Sequence, residues 1–87
     1  MGNINFTEKA WEEYLYWQTQ DRKTIKRINQ LLKDIIRNGT NGLGKFEPLK
    51  YDKSSFFSKR IDEVNRLVFQ IKGTDIFIIQ CKGHYDD

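Results

Sequence analysis

The sequence is nearly without cysteine. Cys81 stands alone among 87 residues, so no internal disulfide can staple the chain. A single thiol inside an apolar run reads as a small buried hydrophobe, and a reducing cytoplasm suits it. Long apolar runs are missing as well: no stretch approaches the roughly 20 residues needed to span a bilayer, and no membrane association is expected. The opening Met1-Gly2-Asn3-Ile4-Asn5-Phe6 has neither the basic region nor the apolar core of an export signal, so the expected location is the cytoplasm. Histidine occurs once, at His84, and no cluster of carboxylates or of Cys and His has the spacing of a metal site; neither metal nor cofactor is expected. Proline also occurs once, at Pro48, where it admits an edge strand at best.

Aromatic residues, by contrast, are plentiful: six Phe, four Tyr and two Trp. With 38% hydrophobic residues they supply a real core and exclude a disordered chain. A domain this small buries only about 60–65% of its unfolded surface, so a partner or dimerisation would add needed stability. Fifteen basic residues against twelve acidic ones leave a formal charge of +3, a modest lean towards an anionic partner.

Hydrophobic periodicity organises residues 1–87 as one domain. Asn3 to Phe6 alternates, with Ile4 and Phe6 on one side, and predicts a short strand. Thr7 is a candidate N-cap for a helix from about Glu8 to Gln18, with Ala10, Trp11, Tyr14 and Leu15 on one face. After a Thr19-Gln20-Asp21 link, Asp21 caps a second helix over Arg22 to Asn38. There Ile25, Ile28, Leu32 and Ile35, widened by Leu31 and Ile36, form the clearest amphipathic stripe, and Gly39 closes the helix. The short link implies an antiparallel helical hairpin. Asn38 to Gly44 reads as a loop. Strands follow at Phe56–Asp62, Arg66–Lys72 and Ile76–Lys82, with turns at Glu63-Val64-Asn65 and Gly73-Thr74-Asp75. The order is α+β: two N-terminal helices packed on a mainly antiparallel sheet.

Period-two alternation then sorts the polar residues. Leu67, Phe69 and Ile71 would face the helices, as would Phe57 and Ile61, and likewise Phe77, Ile79 and Cys81. The second face would collect Ser58, Arg60, Arg66, Gln80, Lys82 and, if the strand persists, His84. Two guanidinium groups and an imidazole suit a phosphodiester, because Arg donates paired bonds to phosphate oxygens and His exchanges a proton near neutrality. A solvated outer face of an ordinary sheet is the other reading. The basic residues of the second helix, among them Lys26 and Arg27, are similarly either a solvated face or a contact for RNA backbone.

Several segments, taken in order, resemble the YoeB/Txe toxins of type II toxin–antitoxin systems. They are Trp11-Glu12-Glu13-Tyr14-Leu15-Tyr16-Trp17-Gln18, Gly44-Lys45-Phe46-Glu47-Pro48-Leu49-Lys50, Ser58-Lys59-Arg60-Ile61, Asn65-Arg66-Leu67-Val68-Phe69 and His84-Tyr85. The resemblance implies a RelE-like, microbial-ribonuclease-type fold of order β-α-α-β-β-β(-β). It implies an endoribonuclease that cuts messenger RNA in the A site of the 70S ribosome without a metal, and a cognate YefM-like antitoxin that neutralises it; a homodimer fits the same pattern. Glu47 and His84 would share the base and acid roles, Arg66 would clamp the phosphate, and Tyr85 would orient the RNA or support His84. Lys50, Arg60, Lys82, Lys26 and Arg27 would contact RNA. Trp11, Tyr14 and Trp17 would pack in the core or against the antitoxin. A non-catalytic ribosome- or RNA-binding inhibitor is the alternative of a different class. Two features depart from the family pattern: Asn65 stands where some relatives carry His, and Asp86-Asp87 extend a chain that in the family often ends at the His-Tyr pair.

Overall fold

The computed structural model describes residues 2–39, 46–49 and 53–83, with the backbone alone at 46–49 and 53–55. Its elements are β1 (Ile4–Phe6), α1 (Glu8–Gln20), α2 (Arg22–Asn38), β2 (Phe46–Leu49), β3 (Lys53–Arg60), β4 (Arg66–Lys72) and β5 (Asp75–Gln80). The five strands form one sheet in the order β1-β5-β4-β3-β2. Only the β1–β5 pair is parallel; the others are antiparallel. This is the α+β architecture expected from the sequence, and Pro48 sits on an edge strand as its missing N–H requires.

The helix starts follow local chemistry. Thr7 Oγ1 accepts a hydrogen bond from the Ala10 N–H at 3.1 Å, and the Asp21 carboxylate accepts from Lys23 and Thr24 at 3.0 and 3.2 Å, which satisfies N–H groups that have no intrahelical partner. α1 runs to Gln20, two residues beyond the expected end at Gln18, so the link shrinks to Asp21 alone, which caps both helices. The helices fold back on one another there: the Tyr14 hydroxyl donates to Asn29 Oδ1 at 2.7 Å. Gly39 ends α2 with a φ of 63°, a conformation costly for any residue with a Cβ.

The core lies between α2 and the sheet. Ile28, Leu31, Leu32 and Ile35 pack with Ile61, Leu67, Phe69, Ile76, Ile78 and Cys81, and Ala10 is the one residue α1 buries completely. Ile25 is half-buried and Ile36 exposed, so the working stripe of α2 is narrower than its pattern. Ile4 and Phe6 share the core side of β1, as the alternation predicts.

In β5 the expected alternation fails. Ile76 and Ile78, not Phe77 and Ile79, face the helices. The register explains both the failure and its limit: Phe69 pairs with Ile78, but the next position, Val68, pairs with Gln80. Ile79 is therefore an extra residue in β5, a bulge that shifts the side-chain phase by one. Past the bulge the expectation holds again, with Cys81 in the core and Gln80 on the second face.

That second face is also drier than a plain solvated sheet. Ser58 is 2% exposed, Val68 0% and Gln80 5%. Part of the cover is the chain itself, which turns at Gly83 across the start of β4 (Arg66 N to Gly83 O, 3.0 Å).

Candidate active site

The site begins with the cross-strand register. Glu47 in β2 stands opposite Ser58 in β3, Ser58 opposite Val68 in β4, and Val68 opposite Gln80 in β5. The adjacent pair is Arg60 opposite Arg66. Ser58 and Arg66 lie on the face away from the helices. The proof is their neighbour Lys59, which is fully buried on the other side with its ammonium 3.5 Å from Asp34 Oδ2 of α2. Lys59 lies between Phe57 and Ile61 on the core side of β3, where burial of an unopposed ammonium would be costly.

Arg66 is half-buried, and its Nε donates to Ser58 Oγ at 3.1 Å. That bond fixes the plane of the guanidinium, which matters for a group that binds oxyanions through a rigid fork of donors. Arg60 is exposed beside it, and its carbonyl accepts a bond from Arg27 of α2 at 3.3 Å.

The chain leaving β5 is held from three directions. Glu13 of α1 accepts the Cys81 N–H at 2.8 Å, and the Trp17 indole donates to the Cys81 carbonyl at 2.9 Å. Two residues later, Asn65 Oδ1 accepts the Gly83 N–H at 2.7 Å, while the Gly83 carbonyl accepts from Arg66 N at 3.0 Å and Gln80 Nε2 at 3.2 Å. Arg66 is thus bonded through its backbone to the residue that precedes His84 in sequence. His84, Tyr85 and Lys50 lie outside the described residues, and Glu47 is described by its backbone only.

Other candidates lie elsewhere. Lys82 does not join Arg66 on the second face; its ammonium sits 4.8 Å from the centre of the Tyr16 ring of α1, because strand alternation ends with β5 at Gln80. Lys26 lies on the helical layer in a groove with Tyr14, Gln18, Arg22, Ile25 and Asn29, and Arg27 reaches only the end of β3. Trp17 and Tyr14 pack against the core, while Trp11 is 47% exposed and stacks on Tyr14 at 5.8 Å.

Two titrating groups report on this end of the fold. Burial pushes the Cys81 thiol up to about 12, and the neighbouring Glu13 charge adds to the effect. Partial burial of Asp62 opposes its charge, but hydrogen bonds from the Asn65 side chain, the Asn65 N–H and the Val64 N–H outweigh that and hold its carboxyl below the ordinary value. Sequence reasoning missed Glu13, Trp17 and Asn65 as supports. Only the last had a local signal, an Asp three positions before an Asn in a turn, a pattern that favours side-chain-to-backbone bonding.

The fold is an α+β domain with a guanidinium on one sheet face beside a hydrogen-bonded strand exit. Its relatives make the class specific. The family profile described as "YoeB-like toxin of bacterial type II toxin-antitoxin system" matches residues 6–85. Toxin YoeB of Synechocystis is 48% identical over 82 residues, 94% of this chain and 95% of that protein. Among solved structures, the YoeB dimer from Staphylococcus aureus superposes with a TM-score of 0.89 at 45% identity, covering 97% of this chain and 98% of that one. The toxin in the heterotetrameric YoeB–YefM toxin–antitoxin complex from the same organism gives 0.87 at 44% identity, covering 98% and 99%. The chain belongs to the YoeB family of toxins.

Proposed function

We propose that this protein is a cytoplasmic, ribosome-dependent endoribonuclease that cleaves messenger RNA in the ribosomal A site and is silenced by a YefM-like antitoxin. One observation carries the catalytic part. Arg66, its guanidinium set by Ser58, is joined through its backbone to Gly83, the residue before His84. The bond from Arg66 to the residue before His84, and the position of Glu47 across the register from Ser58, support reading these residues as one site.

RNA brings its own nucleophile, the 2′-hydroxyl beside the scissile phosphate. In this reading one of Glu47 and His84 removes its proton while the other protonates the departing 5′-oxygen. Arg66 stabilises the charge that builds on the phosphoryl oxygens, and Tyr85 supports His84 or orients the RNA. Arg60 and Lys50 are second-rank phosphate contacts. Lys26, Arg27 and Lys82, on other surfaces, would meet nucleic-acid backbone outside the reacting phosphate. The chemistry needs no metal. The small domain borrows substrate positioning from the ribosome. The solved YoeB dimer and YoeB–YefM complex motivate a homodimer and a YefM-like partner for this chain too.

The test is primer extension on messages after brief induction, paired with in vitro cleavage of ribosome-bound and naked RNA. Cuts should fall within translated regions, favour ribosome-bound message, survive chelation when ribosomes stay intact, and leave a 5′-hydroxyl with a cyclic or 3′-phosphate. Translation arrest without any cut would instead establish inhibition by occupancy, and a 5′-phosphate product would refute attack by the 2′-hydroxyl.

A further inference from the structure

The turn after β5 is unusually well tied. Both polar backbone groups of Gly83 are satisfied although β5 has already ended, and its φ of 84° lies where a side chain is disfavoured. A Cβ added there would meet nothing within 4 Å, so glycine is needed for its backbone angle, not for space. The acceptor for its N–H is itself fixed. Asp62 accepts the backbone N–H groups of Val64 at 2.8 Å and Asn65 at 2.7 Å, and both its oxygens accept from Asn65 Nδ2, at 3.2 and 3.0 Å. With its amide nitrogen committed to Asp62, Asn65 can only turn Oδ1 towards Gly83, and it does so at 2.7 Å.

We propose that Asn65 is a positioning residue: it transmits the fixed turn at Asp62 to Gly83 and so sets where the chain enters His84-Tyr85. The peptide group is planar. Holding the Gly83 carbonyl through Arg66 and Gln80, and its N–H through Asn65, therefore fixes the direction in which the chain leaves Gly83. Acid–base catalysis tolerates little misplacement, since about 1 Å can cost roughly 10²-fold. Asparagine suits the task because one side chain carries a donor for Asp62 and an acceptor for Gly83. The catalytic consequence rests on the proposed nuclease reading; the positional claim does not.

The test uses the full chain and the fact that His84 is its sole histidine, so one imidazole signal set in the NMR spectrum belongs to it. Asn65→Ala should speed exchange of the Gly83 amide by about tenfold or more, the scale of one lost hydrogen bond, and should shift the His84 resonances. Asn65→Asp should do the same, because it loses the donor and sets two carboxylates face to face. The exchanged pair Asp62→Asn with Asn65→Asp restores a donor opposite a carboxylate and an acceptor for Gly83, and should return both signals towards wild type. On ribosomes, Asn65→Ala should lower single-turnover cleavage at saturation by about tenfold while ribosome affinity stays within about twofold, and the exchanged pair should regain most of the rate. Unchanged Gly83 exchange and His84 signals in Asn65→Ala, or no recovery in the exchanged pair, would overturn the brace. Altered signals with wild-type cleavage would overturn its catalytic role. A wild-type protein that cuts no RNA would defeat the nuclease reading alone, since the two NMR readouts decide the brace by themselves.

Discussion

Replacing Glu13 with alanine tests whether α1 stabilises the strand exit or merely lies over it. β5 ends at Gln80, so the N–H of Cys81 has no partner in the sheet, and the Glu13 carboxylate accepts it at 2.8 Å. A hydrogen bond to a charged acceptor contributes about 1.5–3 kcal/mol, and a buried donor left without one is costly. The Glu13 side chain is only 14% exposed, which places the expected loss near the middle of that range, about 2 kcal/mol. For a domain of this size each kcal/mol moves the midpoint by about 4–8 °C, so Glu13→Ala should melt roughly 8–16 °C lower. Glu13→Gln keeps an acceptor without the charge and should lose about half as much. The contact from Lys9 to Glu13 is long, 3.9 Å, and Lys9 is 67% exposed; such pairs contribute little, and Lys9→Ala should cost less than about 0.5 kcal/mol. Urea unfolding followed by circular dichroism would measure all three, with constant slope as the check on a two-state comparison. If Glu13→Ala matches wild type within about 0.5 kcal/mol, or if Lys9→Ala reproduces its loss, the hydrogen bond to Cys81 is not what α1 contributes.

Further outcomes follow from the same geometry. Because burial raises the Cys81 thiol to about 12, alkylation of the native protein at pH 8 should be at least about 10²-fold slower than after unfolding, as mass spectrometry would show; Glu13→Ala should narrow that gap, since the Glu13 charge adds to the shift. The Asp21 and Asp62 carboxyls are both held below their ordinary values, Asp21 chiefly by bonds from Thr24 and Asp62 by bonds that overcome its partial burial. Their contribution is therefore fully present above the unfolded carboxyl pKa of about 4, and it is lost as pH falls through the lowered folded values. Melting points recorded from neutral to acid pH should fall less steeply at the acid end in a double Asp→Asn variant than in wild type. Arg66→Ala or His84→Ala should each slow cleavage on ribosomes by roughly 10²-fold or more. Ser58→Ala, which removes the bond to Arg66 Nε, should cost about tenfold with little change in melting point; a wild-type rate in that variant would mean the Ser58–Arg66 bond does not help orient the guanidinium.

Features of the fold that are decided locally were legible in the sequence. Thr7 and Asp21 cap their helices because a short polar side chain beside free N–H groups is a nearest-neighbour arrangement. The bounds of α2 follow from its stripe and from Gly39. The same holds for the second face of β3 and β4: Ser58, Arg60 and Arg66 fall together because both strands keep strict alternation and the turn between them fixes their register. What could not be read depends on contacts distant in sequence. Glu13 and Trp17 meet Cys81 across separations of 68 and 64 residues, and nothing in their helix distinguishes them from ordinary amphipathic positions. Lys59 shows the same limit from another side: its parity marks it as buried, but the Asp34 that makes burial tolerable lies on α2. Alternation groups Lys82 with Arg66 only if it continues past Gln80, where β5 ends.

The bulge at Ile79 connects these observations. In β5 the residues before it place Ile76 and Ile78 in the core; continued alternation would next bury Gln80 there and turn Cys81 towards the Arg66 side. An amide among Leu67, Phe69 and Ile28 would lack the partners it needs. The extra residue reverses the phase, so the apolar thiol meets Ala10 of α1, with Sγ 3.7 Å from its carbonyl, and the Gln80 amide reaches the Gly83 carbonyl at 3.2 Å. One inserted position thus satisfies the core and the site together. It leaves Cys81 with its polar backbone groups facing Glu13 and Trp17, and Gly83 within reach of Asn65 and Arg66. Bulges sharpen local twist and re-aim the strand that carries them. Here the re-aimed segment ends at Gly83, so the irregularity that breaks the simple pattern in β5 is the feature that brings Gly83 to the backbone of Arg66 at 3.0 Å.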